Sequence, residues 1–292
     1  MSSAGASLLI RLALGLLLSI CIGTLARRRG SLAPSGVWGA IITGTLIFGF
    51  GGWGAGLLLI AFFVSSSLLS HFKRRDARKQ RAAQAFDKGS QRDLWQALAN
   101  AGAATGLAVL GGIAAMRNDA LTAAVLFAGM AGALAAANAD TWATELGVLS
   151  KTPPRLITNL RKSVAPGTSG GITGTGTLAA FAGASLIAAL HCMFTLLGWN
   201  AVAAPTNPAL LIAVALGGVA GALFDSLLGA TVQAMYFSEK QMKETEKPRE
   251  KDGSSNKPLR GWRWLTNDWV NGISTLFGAT IVMALTLLTN GK

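Results

Sequence analysis

Cysteine and histidine are almost missing from this chain, with two of each in 292 residues. Cys21 and Cys192 both fall inside apolar runs, so there is no disulfide framework and no thiolate metal motif, and each reads as a small packing residue. His71 stands at the end of an apolar run beside a basic block and His191 lies deep in another. Neither has a partner motif, which nearly excludes an imidazole as catalytic base. Charge is scarce too: 13% of residues are charged against 51% hydrophobic, and the charges gather in a few blocks between long apolar stretches. That pattern describes a polytopic, all-α membrane protein. Acids number 13 against 26 Lys and Arg, a net charge of +13. Nucleic-acid binders share such an excess, but here the basic residues sit in short loops and not along an aromatic-interleaved surface, so membrane topology explains them and no nucleic acid is expected.

Taken in order, Met1 to Ala26 is apolar beyond the length of a signal-peptide core and ends in Arg27-Arg28-Arg29, as a stop-transfer helix does. Val37 to Phe72 is about two spans long and is interrupted by Gly49-Phe-Gly-Gly-Trp-Gly54, which predicts a tight helical hairpin. Residues 1–72 thus form an N-terminal span and hairpin, 73–94 a basic loop, and 95–292 a catalytic membrane domain. Trp95 to Met116 and Ala120 to Ala137 predict a second hairpin, and Ile172 to Gly198 and Ala209 to Tyr236 a third, turning near Pro205 and Pro208. Residues 239–258 are mixed in charge and poor in apolar side chains, so 237–266 is expected to be a flexible solvated loop without chemistry of its own. Asn267 to Leu288 closes the count at about eight transmembrane helices. With both termini outside, the loops at 27–35, 73–94, 148–171 and 237–266 are cytoplasmic and hold 3, 8, 4 and 8 basic residues, leaving only Arg11, Arg117 and Lys292 elsewhere. No transit peptide is evident, so a bacterial cytoplasmic (inner) membrane is expected, with the site facing the cytoplasm. Gly102-x-x-x-Gly106 and Gly217-x-x-x-Gly221 predict close helix packing.

Nearly every unusual polar residue falls at the cytoplasmic ends of these spans. In Asn138-Ala-Asp-Thr-Trp-Ala-Thr-Glu-Leu-Gly147, helical spacing puts Asn138, Thr141 and Glu145 on one face and Asp140 on an adjoining ridge. Hard oxygens at membrane depth suit Mg²⁺ and a phosphate better than they suit lipid, although the acids could also cap a helix or face water. Asp93, Gln96 and Asn100 form a polar stripe, which serves either a cavity or hydrogen bonding between helices. Pro166-Gly-Thr-Ser-Gly-Gly171 leads into a helix and offers an anion cradle of backbone N–H groups, without a Walker sequence. Asp225, a few turns into a span, is expensive there unless it is functional. Asp268 and Asn271 open the last span, where Asp268 could equally favour the positive end of the helix.

These motifs resemble the integral-membrane family that includes plant phytyl-phosphate kinase. The resemblance is carried by Asp87-Lys-Gly-Ser-Gln-Arg-Asp93 with Asn100, Ala139-Asp-Thr-Trp-Ala-Thr-Glu-Leu-Gly147, Pro154-Arg-Leu-Ile-Thr158, Pro166 to Gly171, Phe224-Asp-Ser-Leu-Leu-Gly-Ala-Thr-Val-Gln233 and Asn267-Asp-Trp-Val-Asn271. It covers roughly Arg27 to the C-terminus and is more distantly similar to CTP-dependent dolichol kinases and phosphatidate cytidylyltransferases. The resemblance implies phosphoryl transfer from a nucleoside triphosphate, CTP by analogy, to a prenyl monophosphate such as phytyl phosphate, within tocopherol or prenyl-lipid metabolism. In that reading Asp140, Glu145 and Asp225 hold Mg²⁺ on the nucleotide. Pro166, Gly167, Thr168, Ser169, Gly170 and Gly171 cradle the phosphates, and Lys88, Arg92, Lys151 and Arg155 offset charge on donor and acceptor. Asn138, Asn100 and Asp268 orient the ligands or hold a second metal, and Asn271 joins them in binding the cofactor. The same parts would serve a prenyl-alcohol kinase or a lipid cytidylyltransferase, and acids at the inner ends of spans also mark transporters. An oligomer is compatible with each.

Overall fold

The computed structural model describes residues 3–73, 75–83, 91–200, 208–250 and 252–290. Helix α1 (Ser3–Arg28) places Arg27 and Arg28 at the negative end of its dipole. Helix α2 (Pro34–His71) opens on a proline, whose missing N–H is unused in a first helical turn. It breaks at Gly52, where φ is 79° and ψ −167°, a conformation essentially reserved for glycine. The break reverses the chain. A β-carbon on Gly56 would lie 2.6 Å from the Phe48 ring, and one on Gly44 would lie 4.0 Å from Leu59. A straight helix, rising about 1.5 Å per residue, would hold those pairs roughly 12 and 22 Å apart. Residues 34–51 and 53–71 are therefore the two antiparallel limbs of the hairpin expected from the glycine run.

A short helix, α3 (Ala77–Ala83), follows in the basic loop. Helix α4 (Leu94–Met116) starts with a capping box between Asp93 and Gln96, and α5 (Ala120–Gly147) starts on Asp119, which accepts the Thr122 N–H. Helix α5 runs unbroken through the acidic motif. Helices α6 (Gly174–Leu196), α7 (Pro208–Thr231) and α8 (Asn267–Asn290) complete the bundle. Seven described helices are long and apolar enough to cross a membrane, and since α2 is a hairpin the chain makes eight crossings.

Backbone bonds show which loops share a side. Ala33 N–H donates to the Arg92 carbonyl at 3.0 Å and Arg92 N–H to that of Ser31 at 3.1 Å, so the first two basic segments meet. At the opposite end the Gly52 turn meets the segment after α6, where Gly54 N–H donates to the Trp199 carbonyl at 2.8 Å.

Helix α5 is the centre, packed against α4, α6, α7 and α8 and also touching α2. Gly217 and Gly221 admit close neighbours, as their spacing predicts: a β-carbon on Gly217 would fall 2.4 Å from a Val282 methyl and one on Gly221 2.5 Å from the Ala136 methyl. Gly102 and Gly106 do not follow that expectation, for nothing lies within 4 Å of where their β-carbons would be. Spacing alone does not say which side of a helix meets a partner.

Two small antiparallel sheets occupy the loops at the end of the bundle where the first two basic segments meet. One, in the order β2–β1–β3, consists of β1 (Arg155–Leu156), β2 (Asn159–Ser163) and β3 (Gly171–Ile172). The other, in the order β5–β4–β6, consists of β4 (Met235–Ser238), β5 (Lys243–Thr245) and β6 (Lys257–Arg260). This second sheet corrects the flexible loop expected over 237–266. Apolar residues are few there, but buried polar ones are satisfied: the Ser238 hydroxyl donates to Glu250 at 2.6 Å and the Asn256 amide to the Lys247 carbonyl at 2.9 Å.

Candidate active site

The site begins with the way α5 meets α7. Both helices run toward the sheet-bearing end, and Ala135 and Ala136 lie against Gly218 and Gly221, where added β-carbons would come within 2.8 and 2.5 Å. One turn further along each helix stand Asp140 and Asp225, four residues beyond Ala136 and Gly221. The small residues thus set two carboxylates side by side from helices 85 positions apart. Oδ2 of Asp225 is buried and makes no hydrogen bond of standard geometry, with the Ser274 hydroxyl close by and the charges of Asp140 and Glu246 within electrostatic reach. Among the described residues neither Asp140 nor Asp225 forms a salt bridge.

Both acids line a cavity of about 1020 Å³ at the ends of α4, α5, α7 and α8. That is at the top of the roughly 300–1,000 Å³ usual for small-molecule sites, which leaves room for more than one ligand. Of the residues expected at the site, Arg92, Asn100, Asp140, Glu145, Gly167, Thr168, Ser169, Gly170, Gly171, Asp225, Asp268 and Asn271 all line it. Gln96 and Asn100 of the polar stripe line the cavity, as one of its two readings requires, whereas Asp93 caps α4 and is absent from the wall.

Several residues stand elsewhere. Asn138 is fully buried, its amide donating to the Gly183 carbonyl at 2.8 Å and its oxygen accepting from Ser65 and Ser66 at 3.0 and 3.2 Å. It ties α5 to α2 and α6 and is absent from the cavity wall. Lys151 and Arg155 are exposed, and Arg155 donates to the Leu160 carbonyl at 2.6 Å. Pro166 is likewise outside the wall, and Lys88 lies outside the described residues. Among the described residues the cations on the wall are Arg75, Lys79, Arg92 and Arg263.

Glu145 reaches the cavity but is not grouped with the aspartates. Its carboxylate accepts from Lys79 and Ser70, each at 2.6 Å, while the Lys79 ammonium also donates to the Leu69 carbonyl at 2.8 Å. Among the described residues no three Asp, Glu, His or Cys side chains converge as a metal cage. The carboxylate that approaches Asp225 from a loop is Glu246. It accepts from Gln233 at 2.9 Å, and Gln233 in turn accepts from Ser169 at 3.0 Å. This chain of bonds joins the glycine turn, the end of α7 and the second sheet. Lys79 and Glu246 were hidden because each lies in a charge-rich stretch that reads as a solvated loop, and their partners are 66 and 13 residues away. Ala82, buried beside Lys79 on the same short helix, is the one local hint.

The glycine turn differs in detail from the cradle expected. The N–H groups of Thr168 and Gly171 close the turn itself, onto Ala165 and Thr168 at 3.1 and 3.0 Å. Gly167 and Gly170 have φ of +88° and +82° and serve close approach: a β-carbon on Gly167 would meet the Ala82 backbone at 2.9 Å, and one on Gly170 the Ala230 backbone at 2.6 Å. Arg92 lies over the rings of Phe62 and Phe63, 5.5 and 5.8 Å from their centroids. Burial pushes its guanidinium down to about 10, opposed by the charge of Glu145, so it remains a cation at neutral pH.

Relatives match the sequence over most of its length. The chain is 35% identical over 277 residues to Protein PGR of Arabidopsis thaliana, covering 91% of this chain and 93% of that protein. It is 33% identical over 222 residues to an uncharacterized membrane protein of Methanocaldococcus jannaschii, covering 76% and 83%, and 28% identical over 257 residues to one of a Synechocystis species, covering 87% and 82%. No solved structure matches. A family described as "Integral membrane protein DUF92" matches residues 17–279, most of the chain and every wall of the cavity. This protein therefore belongs to the integral membrane family DUF92.

Proposed function

We propose that this protein is a prenyl-phosphate kinase, transferring the terminal phosphoryl group of a nucleoside triphosphate, CTP by family resemblance, to a prenyl monophosphate such as phytyl phosphate. The observation that carries the reading is the pairing of Asp140 and Asp225 in a large cavity walled, among the described residues, by four cations and placed where spans meet the basic loops. Two acids at membrane depth without a cationic partner are costly unless they serve a ligand. They suit Mg²⁺, which is commonly held by one or two carboxylates and completes its shell with water and substrate phosphates. The buried Asp225 oxygen is a donor of the right kind, and two carboxylates take the place of the three expected. When bound, the ion would neutralise charge on the nucleotide phosphates.

The chain's own residues do the rest. An oxygen of the acceptor phosphate attacks the γ-phosphorus, the bond from that phosphorus to the β–γ bridging oxygen breaks, and the products are a nucleoside diphosphate and a prenyl diphosphate. The acceptor is already an anion, so no imidazole base is needed, and what remains is positioning and charge neutralisation. Arg75, Lys79, Arg92 and Arg263 offset charge along the wall, while Ser169, Gln233 and Glu246 hold the glycine turn beside Asp225. The cavity opens on the side that bears most of the basic residues, which supports a cytoplasmic site.

The test is incubation of purified protein with Mg²⁺, each of the four nucleotides, and phytyl or geranylgeranyl monophosphate. Nucleoside diphosphate plus prenyl diphosphate is expected; a CDP-lipid plus pyrophosphate would identify a cytidylyltransferase instead. Asp140→Asn and Asp225→Asn should each abolish Mg²⁺-dependent transfer in protein that stays monodisperse. Wild-type turnover in either variant removes that residue from the metal.

A further inference from the structure

Arg92 is the most unusual cation in the cavity. Its Nη1 is buried and has no hydrogen-bond partner, and Glu145, whose charge it feels, is already bonded to Lys79 and Ser70. Leaving a buried charged N–H unsatisfied is costly, and a guanidinium in that state is a fork waiting for a planar or tetrahedral oxyanion. The side chain is also fixed in place. Its backbone is bonded on both sides to the segment between α1 and α2. The neighbouring Gly36 has no room for a side chain, since a β-carbon there would fall 2.0 Å from the Arg92 carbonyl oxygen.

Its surroundings distinguish it from the rest of the wall. Phe62 and Phe63, from the second limb of the α2 hairpin, lie beneath the guanidinium. The glycine turn bridges α3, through Gly167 and Ala82, and α7, through Gly170 and Ala230, and on the α7 side its Ser169 is bonded to Gln233 and through it to Glu246. One wall is cationic beside aromatic membrane-spanning residues; the other is polar. An anion attached to a hydrocarbon chain fits the first, and a sugar and base fit the second.

We propose that Arg92 is the receptor for the phosphate of a membrane-borne phosphomonoester, whose hydrocarbon chain leaves along the seam of α2 and α4, and that nucleotide binds the α7 wall. This assignment rests on the kinase reading for its role in turnover, but the binding step is testable alone. Its chemistry, a phosphate dianion held by a fixed guanidinium, is shared by free phosphate, and the aromatic floor is what selects the lipid.

The experiment titrates the full-length purified protein in detergent by calorimetry. Ligands are geranylgeranyl monophosphate, geranylgeraniol, inorganic phosphate, and CTP with Mg²⁺, each in the absence of the other substrate. Wild type should bind the monophosphate at least tenfold more tightly than the alcohol or inorganic phosphate. Arg92→Gln should weaken monophosphate binding about 10- to 100-fold, the range of a charge-assisted pair, and change CTP binding less than about threefold. Arg92→Lys keeps the buried charge but loses the fork; it should lose monophosphate affinity about fivefold and carries the test if the glutamine variant does not fold. Loss of CTP affinity in these variants assigns Arg92 to the nucleotide and overturns the proposal. Equal, Arg92-dependent binding of inorganic phosphate overturns the lipid preference, and no monophosphate binding by wild type overturns the site. Binding through Arg92 without transfer from any nucleotide would instead leave this site standing and remove the kinase reading.

Discussion

Replacing Gly170 by alanine should disable the site without touching a charged group. The residue has φ of +82°, and an added β-carbon would lie 2.5 Å from the Ala230 methyl, 2.6 Å from its Cα and 2.7 Å from its nitrogen. The left-handed backbone costs an alanine about 1–2 kcal/mol, and forcing a methyl into packed backbone a further 1–3 or so. Together that is roughly 2–5 kcal/mol against the native turn, and α7 cannot yield, because its other face lies against α5 and α8 at Gly218 and Gly221. The turn should move away, breaking the Ser169–Gln233 bond beside Asp225. At about 1.4 kcal/mol per factor of ten, the competent arrangement falls at least about thirtyfold, and the apparent nucleotide affinity falls with it. Steady-state kinetics at saturating prenyl phosphate should show that rise in nucleotide KM. Gly102→Ala is the companion control: its β-carbon meets open space, and KM should not change. A Gly170→Ala protein whose nucleotide KM stays within about threefold of wild type would show that the seating of the turn on α7 is irrelevant to the site.

Asn138→Ala should remove three interhelical hydrogen bonds at about 0.6 kcal/mol each, lowering stability in detergent by about 2 kcal/mol with both KM values unchanged; a large rise in nucleotide KM would place Asn138 in the site after all. Breaking the Lys79–Glu145 pair with Lys79→Met leaves a partly buried carboxylate without its cation. It should loosen α3 and cut turnover about tenfold or more, whereas Lys79→Arg should retain most of it; equal activity in the two would deny the pair a role. For orientation, with Cys21 and Cys192 replaced, a cysteine at Ser254 should be labelled only from the cytoplasmic side and one at Asn118 only from outside. The reverse pattern would invert the topology.

Much of this architecture can be read along the chain because it is local. The Gly49–Gly54 run announces the α2 reversal, since only glycine adopts the backbone found at Gly52. Asp93 and Asp119 start α4 and α5 by capping chemistry, a local signal missed when Asp93 is read only as part of a polar stripe. Asp140 and Asp225 stand out because carboxylates are rare in apolar runs. What is not legible is who faces whom. Helical spacing groups Glu145 with Asn138 and the metal oxygens, but three-dimensional packing gives Asn138 to the core and Glu145 to Lys79. Glu246 is hidden in a stretch whose composition suggests disorder, because its order comes from hydrogen bonds between polar side chains that no hydrophobic period marks. Gly102 and Gly106 show the same limit from the other direction, a packing motif with no neighbour beside it.

Below Asp140 the middle of α5 is dry. Met130 and Leu134 are 1% and 0% exposed and belong to one buried apolar cluster with Val214 of α7 and Val282 of α8, both at 0%. A buried apolar layer is where the drop in electrical potential across an energised membrane concentrates, and the candidate site lies at one end of it. In the proposed transfer the charges moved therefore cross little of that field. The chemistry should run at one speed in a detergent micelle, a leaky vesicle or a fully polarised membrane, and the voltage of the cell gives no handle on it.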